Sequence, residues 1–268
     1  MARNPLINSV LTAAMFAALL AISEGARAQA TDLLLVLAAD VSRSIDESEF
    51  ALQRKGYSAA VTDPRVLAAI RGGVTGTIAI CFVEWSGAGE QNVVADWTVI
   101  HDEEDAGGVA AAILAAPRSF IGRTSISGAI DFAMERFAAA EPRANRHIID
   151  ISGDGTNNSG RPVTEARDQA ISQGVTINGL AIINDKPNLG YSAHTQPPGG
   201  LPLYYRQNVI GGSNAFLLVV QDFNSFADAM ANKLAKEIDV SGSAGTQLSL
   251  LRPSPERQAE ARLVEFAY

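Results

Sequence analysis

Leu33–Ala39 is an unbroken apolar run that stops abruptly at Asp40-Val41-Ser42-Arg43-Ser44. A run this short, built of Leu, Val and Ala and ended by polar turn residues, fits a strand covered on both faces, although periodicity alone also admits a short buried helix. Read as a central parallel strand, it carries one acid and two hydroxyls at alternate positions beyond its carboxyl end. All three are oxygen donors, the chemistry that suits a hard divalent cation such as Mg2+, Mn2+ or Ca2+.

The rest of the chain alternates in a way that extends this reading. Asp46–Val61 has helical spacing, and Asp63-Pro64 opens a short second helix that Gly72-Gly73 ends. Thr77–Trp85 and Asn92–Ile100 are β-rich and joined by a glycine-containing connection, which predicts a hairpin. Helical segments follow at Ala106–Ala115, Ile126–Ala139, Val163–Gln173 and Phe223–Ile238, with strands at His147–Ile151, Val175–Ile183 and Phe216–Val220. Such alternation predicts an α/β fold: a doubly wound, mostly parallel six-stranded sheet with one antiparallel edge strand and helices on both faces.

The two ends set the boundaries. Arg3, the apolar stretch Val10–Ile22 and the small-x-small triplet Ala26-Arg27-Ala28 read as an export signal over residues 1–28, cleaved near Ala28. That predicts a periplasmic or secreted protein, not membrane-spanning, because no segment approaches the roughly 18 apolar residues a span requires. Residues 29–240 form one domain, with 184–214 as a long loop insertion, and 241–268 is a tail of flexible-linker composition at its start. The chain carries formal charge −8, and losing the signal leaves it slightly more acidic. That balance excludes nucleic acid as a partner, since such binding rests on basic contacts to phosphate. Cys81 is the only cysteine, so no intramolecular disulfide forms, and its apolar surroundings predict a buried thiol.

A second polar loop, Ser152–Ser159, directly follows an apolar strand. In an open parallel sheet both loops emerge at the edge where ligands bind. Asp40, Ser42, Ser44 and Asp154 converge there if their strands are neighbours, and Thr124, at a turn that begins a helix, is the natural fifth member. Each has a plainer reading. Ser44 with Glu47 spells a capping box, Thr124 fits a helix cap, and Asp154-Gly155 is a common turn pair.

The order Asp40-x-Ser42-x-Ser44, then Thr124 in a Gly-x-Thr turn, then Asp154-Gly155 after a strand resembles the metal-ion-dependent adhesion site of von Willebrand factor type A domains. The resemblance covers roughly Leu33 to Ile238, and the whole chain is similar to exported bacterial proteins described as a domain of unknown function. It implies that Ser42, Ser44 and Thr124 hold the ion through their hydroxyls and that Asp40 and Asp154 act directly or through water. It further implies that a protein partner supplies an Asp or Glu carboxylate, so that the activity is adhesion or assembly and not turnover.

Asn184–Asn214 breaks the alternation with four prolines and five glycines. It leaves a strand at its carboxyl end, and so is expected beside the metal, with Tyr191, Tyr204 and Tyr205 as candidate partner-contact residues; the alternative is that they pin the loop to the core. The rival function is a metal-dependent hydrolase or phosphatase using Arg43 and Arg123 to hold an anion. No G-x-S-x-G elbow supports it, and His147 begins an apolar strand. The acidic run Asp102–Asp105 lacks the spacing of a calcium loop and reads as a solvated face.

Overall fold

A computed structural model describes residues 29–183, 192–221 and 225–239. The proposed signal, Tyr191 and the C-terminal tail lie outside the described residues. The elements in chain order are β1 (Leu34–Asp40), α1 (Glu47–Val61), α2 (Pro64–Arg71), β2 (Ile78–Trp85), β3 (Gln91–Ile100), α3 (Glu103–Ala115), α4 (Ile126–Ala138), β4 (His147–Gly153), α5 (Val163–Ser172), β5 (Thr176–Ile182), α6 (Ser192–Thr195), α7 (Leu201–Asn208), β6 (Leu217–Val220) and α8 (Phe226–Ile238).

The strands form a single six-stranded sheet in the order β3-β2-β1-β4-β5-β6. Every pairing is parallel except β2 with β3, the expected hairpin at one edge. Every residue of β1 is buried, as a strand covered on both faces demands. Its side chains alternate between two cores. Leu35, Leu37 and Ala39 pack with residues of α1, α2, α3 and α8, whereas Leu34, Val36 and Ala38 pack with α4, α5 and α7. Tyr57 of α1 makes edge-on contacts with Phe82 and Phe226, tying the first layer together. Cys81 is buried, and burial pushes its thiol up to about 12.

Two local expectations are corrected. Residues 192–208, read as irregular, hold α6 and α7; Leu201 and Tyr205 of α7 are buried in the second core, and that tertiary burial outweighs the Pro and Gly content. Helix α3 begins at Glu103, earlier than its apolar spacing suggests, because Asp102 accepts the backbone N–H groups of Glu104 and Asp105. The acidic run is therefore a capped helix start, where negative charge is favoured. Among the described residues no helix is long and apolar enough to cross a membrane.

Candidate metal centre

β1 and β4 lie side by side where the strand order reverses, with Ala39 opposite Ser152 in register. Their carboxyl ends open the crevice in which doubly wound sheets bind ligands. Asp40 closes β1, and its Oδ1 accepts the backbone N–H of Ser42 at 2.7 Å, a turn that folds the loop back on the acid. Ser42 Oγ and Ser44 Oγ are then 3.2 Å apart, and Ser44 Oγ donates to Asp154 Oδ1 at 2.6 Å.

The plainer readings of Ser44 and Thr124 are corrected here. The capping box of α1 is Asp46 with Glu49, so Ser44 is released to reach Asp154. Ser125 caps α4 by accepting the N–H of Gly128, which frees the Thr124 hydroxyl. Thr124 Oγ1 lies 2.9 Å from Nε2 of His194.

All five side chains are enclosed: Asp40 is 0 % exposed, Ser42 and Asp154 1 %, Thr124 2 % and Ser44 6 %. Asp40 Oδ2 and Asp154 Oδ2 are buried with no hydrogen-bond partner among the described residues. Burial, and then the neighbouring Asp154 charge, hold the Asp40 carboxyl well above the usual range. Burial likewise pushes Asp154 up to about 6, against the lowering effect of the Ser44 hydrogen bond. Both acids bear charge less readily here than in water, and a cation beside them would favour their ionised forms. Among the described residues no three His, Cys, Asp or Glu side chains are gathered for an ion, so any ion here also draws on the hydroxyls. An acid-and-hydroxyl donor set of this kind fits a hard divalent cation.

Several supporting residues escape a sequence reading. Arg118 Nη2 donates to the carbonyls of Val41, Ser42 and Ile45 at 2.9, 2.9 and 2.8 Å, clamping the Asp40–Ser44 loop. Gln53 Nε2 holds the Asp40 carbonyl at 3.2 Å. Asn158 Oδ1 accepts the Thr124 N–H at 3.0 Å while its own N–H donates to the Thr124 carbonyl at 2.8 Å. The loop that carries Asp154 thus also positions Thr124. Only Asn158 had a signal, as part of the polar loop after β4.

The inserted segment packs against this cradle. His194 Nδ1 lies 2.9 Å from Thr156 Oγ1, and burial and the Arg123 charge push the imidazole below its ordinary range. Tyr204 Oη accepts the Asn157 N–H at 3.1 Å. Tyr205 is fully buried, with its hydroxyl unpartnered among the described residues. A Cβ on Gly153 would stand 2.8 Å from that hydroxyl and 2.9 Å from Asp40 Oδ2, so the strand end must be glycine for both to fit. Trp85, in register with Asp40, is buried in the core.

The family described as "Protein of unknown function (DUF1194)" matches residues 30–242. The chain belongs to this family. No curated protein matches the DUF1194 chain. Among solved structures it is similar to proximal thread matrix protein 1 from the mussel byssus, at 18 % identity and TM-score 0.57 over 77 % of this chain and 48 % of that one. It is also similar to a von Willebrand factor type A protein from Catenulispora acidiphila (17 %, 0.56, 78 % and 43 %) and to the pilus adhesin SpaC from Lactobacillus rhamnosus GG (12 %, 0.56, 78 % and 30 %). A further structure of the mussel protein is described as having a zinc-occupied metal-ion-dependent adhesion site. The DUF1194 chain spans less than half the length of each of these proteins. Its fold is that of a von Willebrand factor type A domain.

Proposed function

We propose that this chain is an exported binding protein that holds a divalent cation, Mg2+, Mn2+ or Ca2+, through Asp40, Ser42, Ser44, Thr124 and Asp154, and that it binds a protein partner's Asp or Glu carboxylate there. The observation that carries the reading is the pair of buried, unpartnered carboxylate oxygens of Asp40 and Asp154 in a cradle of hydroxyls. When bound, the cation supplies positive charge to the two acids and an electrophilic centre for an incoming carboxylate. The chain's own residues set the geometry: Arg118 fixes the first loop, Asn158 fixes Thr124, and Ser44 orients Asp154.

A zinc-occupied adhesion site in the mussel protein and the adhesin role of SpaC support a non-enzymatic binding function. Residues 1–28 are read as the leader that takes the chain to the periplasm or outside the cell. Tyr204 and Tyr191 belong to the segment that chooses the partner, while Tyr205 braces it from within.

The rival class is a metal-dependent hydrolase or phosphatase. The Thr124–His194 contact has the reach of a nucleophile and its base. Yet Thr124 is enclosed, and the group behind His194 is the Thr156 hydroxyl, not a carboxylate. Turnover of generic phosphate or carboxylic esters that disappears with Ser42→Ala would overturn the binding reading.

The direct test is thermal unfolding after chelation, then with Mg2+, Mn2+ or Ca2+ restored. A ligand that binds only the folded state adds about 2.7 kcal/mol at a hundred times its dissociation constant. Asp40→Ala and Ser42→Ala abolish that gain; a gain that survives both places the ion elsewhere.

A further inference from the structure

A site that receives a partner's carboxylate must be reachable from outside, yet none of its five candidate ligands is more than 6 % exposed. His194 of the chain's own inserted segment lies against two of the loops that carry them. His194, on the single turn of α6, brings Nε2 to 2.9 Å from Thr124 Oγ1 and Nδ1 to 2.9 Å from Thr156 Oγ1. Its backbone carbonyl accepts the Thr156 N–H at 3.2 Å. The imidazole lies flush on the Asp154-Gly155 turn: a Cβ on Gly155 would stand 2.2 Å from Nε2 and 2.6 Å from Cε1. Behind it, the Tyr204 hydroxyl fastens α7 to Asn157. One planar side chain thus bridges the loop that carries Thr124 and the loop that carries Asp154.

We propose that His194 is the chain's own occupant of the face through which a partner carboxylate reaches the cation, so that the site is held closed until the imidazole is displaced. This rests on the metal-binding reading above and adds to it a competition between an internal group and the partner. An imidazole suits the place because it is flat and its two nitrogens serve both loops: Nδ1 accepts the Thr156 N–H at 3.2 Å, which leaves Nε2–H to donate to Thr124 Oγ1. Glycine at 155 is what lets the ring settle there.

The structure also supplies the means to evict the ring without deleting it. Gly155→Ala places a methyl group where the imidazole now rests, and Gly155 is not among the positive-φ residues, so its backbone accepts alanine. His194→Ala removes the occupant outright and leaves Gly155 in place. Two changes in different elements that give one result separate displacement from a general loss of folding.

The experiment loads the full chain with Mn2+ and follows water-proton relaxation enhancement, which reports solvent molecules exchanging at the bound ion, with acetate as the carboxylate probe. The wild type is expected to show low enhancement and weak acetate binding. Both variants are expected to show higher enhancement that acetate quenches, with acetate affinity raised about tenfold or more, the factor by which an unpopulated open state lowers apparent affinity. Enhancement and acetate affinity equal in all three proteins overturn the proposal. Mn2+ binding by the variants but not the wild type supports it in stronger form. Mn2+ bound by none of the three removes the metal reading, and the occupant with it. Mn2+ bound by all three and unaffected by Asp40→Ala places the ion elsewhere and overturns both the metal site and the occupant.

Discussion

Strand β4 leads into two buried acidic clusters, around Asp150 and around Asp154, and the chain treats them differently. At Asp150 it provides a cation: Lys233 Nζ lies 2.6 Å from Asp150 Oδ1 and also pairs with Glu237, with all three side chains enclosed. Asn178 Nδ2 donates to Glu237 Oε1 at 2.9 Å, and Asn178 Oδ1 accepts the Phe216 N–H, so α8 and the β6 approach are locked to the sheet. At Asp154 the chain provides hydroxyls. The Ser44 hydroxyl satisfies one oxygen of Asp154 and the Ser42 backbone N–H one oxygen of Asp40, and neither acid is neutralised. A buried acid is tolerable when its charge is paired, and costly when it is merely solvated by neutral groups. The first cluster holds a cation of its own, one lysine for two acids, with Glu237 Oε2 left without a hydrogen-bond partner among the described residues; the second holds only neutral donors.

The largest effect expected from this contrast is at Lys233. Lys233→Met leaves Asp150 and Glu237 buried without their cation, and removing one member of a buried ion pair costs about 3–5 kcal/mol. Urea unfolding should show that loss, and added divalent cation should not restore it. A loss below about 1 kcal/mol would mean that the acids simply take up protons, and the contrast would fail. Asp154→Asn has the opposite sign. At pH 8 in chelator it relieves an acid whose folded pKa is about 6 against an ordinary 3.8. At about 1.4 kcal/mol per pKa unit, the metal-free protein gains about 3 kcal/mol. The same substitution removes the stabilisation that metal provides. A metal-free protein weakened by Asp154→Asn would show that the carboxylate is wanted for its hydrogen bond from Ser44 and not held in reserve for a cation.

The fold was legible because β1 and β2 are nearly continuous apolar runs, which parallel burial requires, and β4 and β5 keep short Ile- and Leu-bearing stretches between helical segments. The five candidate ligands were legible because each follows a strand or opens a helix, where polar residues stand out. Ser44 shows the limit: beside Glu47 it spells a cap, and only the neighbouring Asp46 taking that role leaves it free to donate to Asp154. Lys233 and Glu237 were not legible at all. On the sequence they are an ordinary charged pair one helical turn apart, and nothing local says that this face of α8 covers Asp150. His194 was hidden for the same reason, since its partners Thr124 and Thr156 are 70 and 38 residues away.

pH separates the clusters more finely. Glu237 is pushed up to about 7 from an ordinary 4.5, by burial first and the Asp150 charge second. A raised folded pKa means that the native state binds more protons than the unfolded chain across that interval. The stability it contributes is therefore full below about pH 4.5 and is lost as pH rises towards 7. Glu237→Gln should remove this slope. Comparing it with the wild type cancels the acids nearer the surface, Asp46, Asp63, Glu90 and Asp105, whose hydrogen bonds hold them low. At Asp154 the same logic gives a slope up to about pH 6 in chelator, and saturating metal should abolish it, because the ion must displace the proton. A slope at Glu237 that also vanishes with metal would join the two clusters into one.

The smallest effect tests whether they are joined. Tyr57 Oη and Ser152 Oγ are 2.6 Å apart, and Ser152 stands on β4 between Asp150 and Asp154. Burial and the Asp150 charge hold the Tyr57 hydroxyl well above its usual range, so it is a neutral link. Tyr57→Phe leaves the Ser152 hydroxyl without its partner, at a cost of about 1 kcal/mol. If the clusters are independent, that cost adds to the effect of Asp154→Asn within about 0.5 kcal/mol, and the metal-induced rise in Tm is the same with and without the phenol. A larger coupling term in the double variant would show that charge placed at Asp154 is felt at Asp150 through this hydroxyl pair. The balanced cluster would then set how readily the unbalanced one takes up its ion.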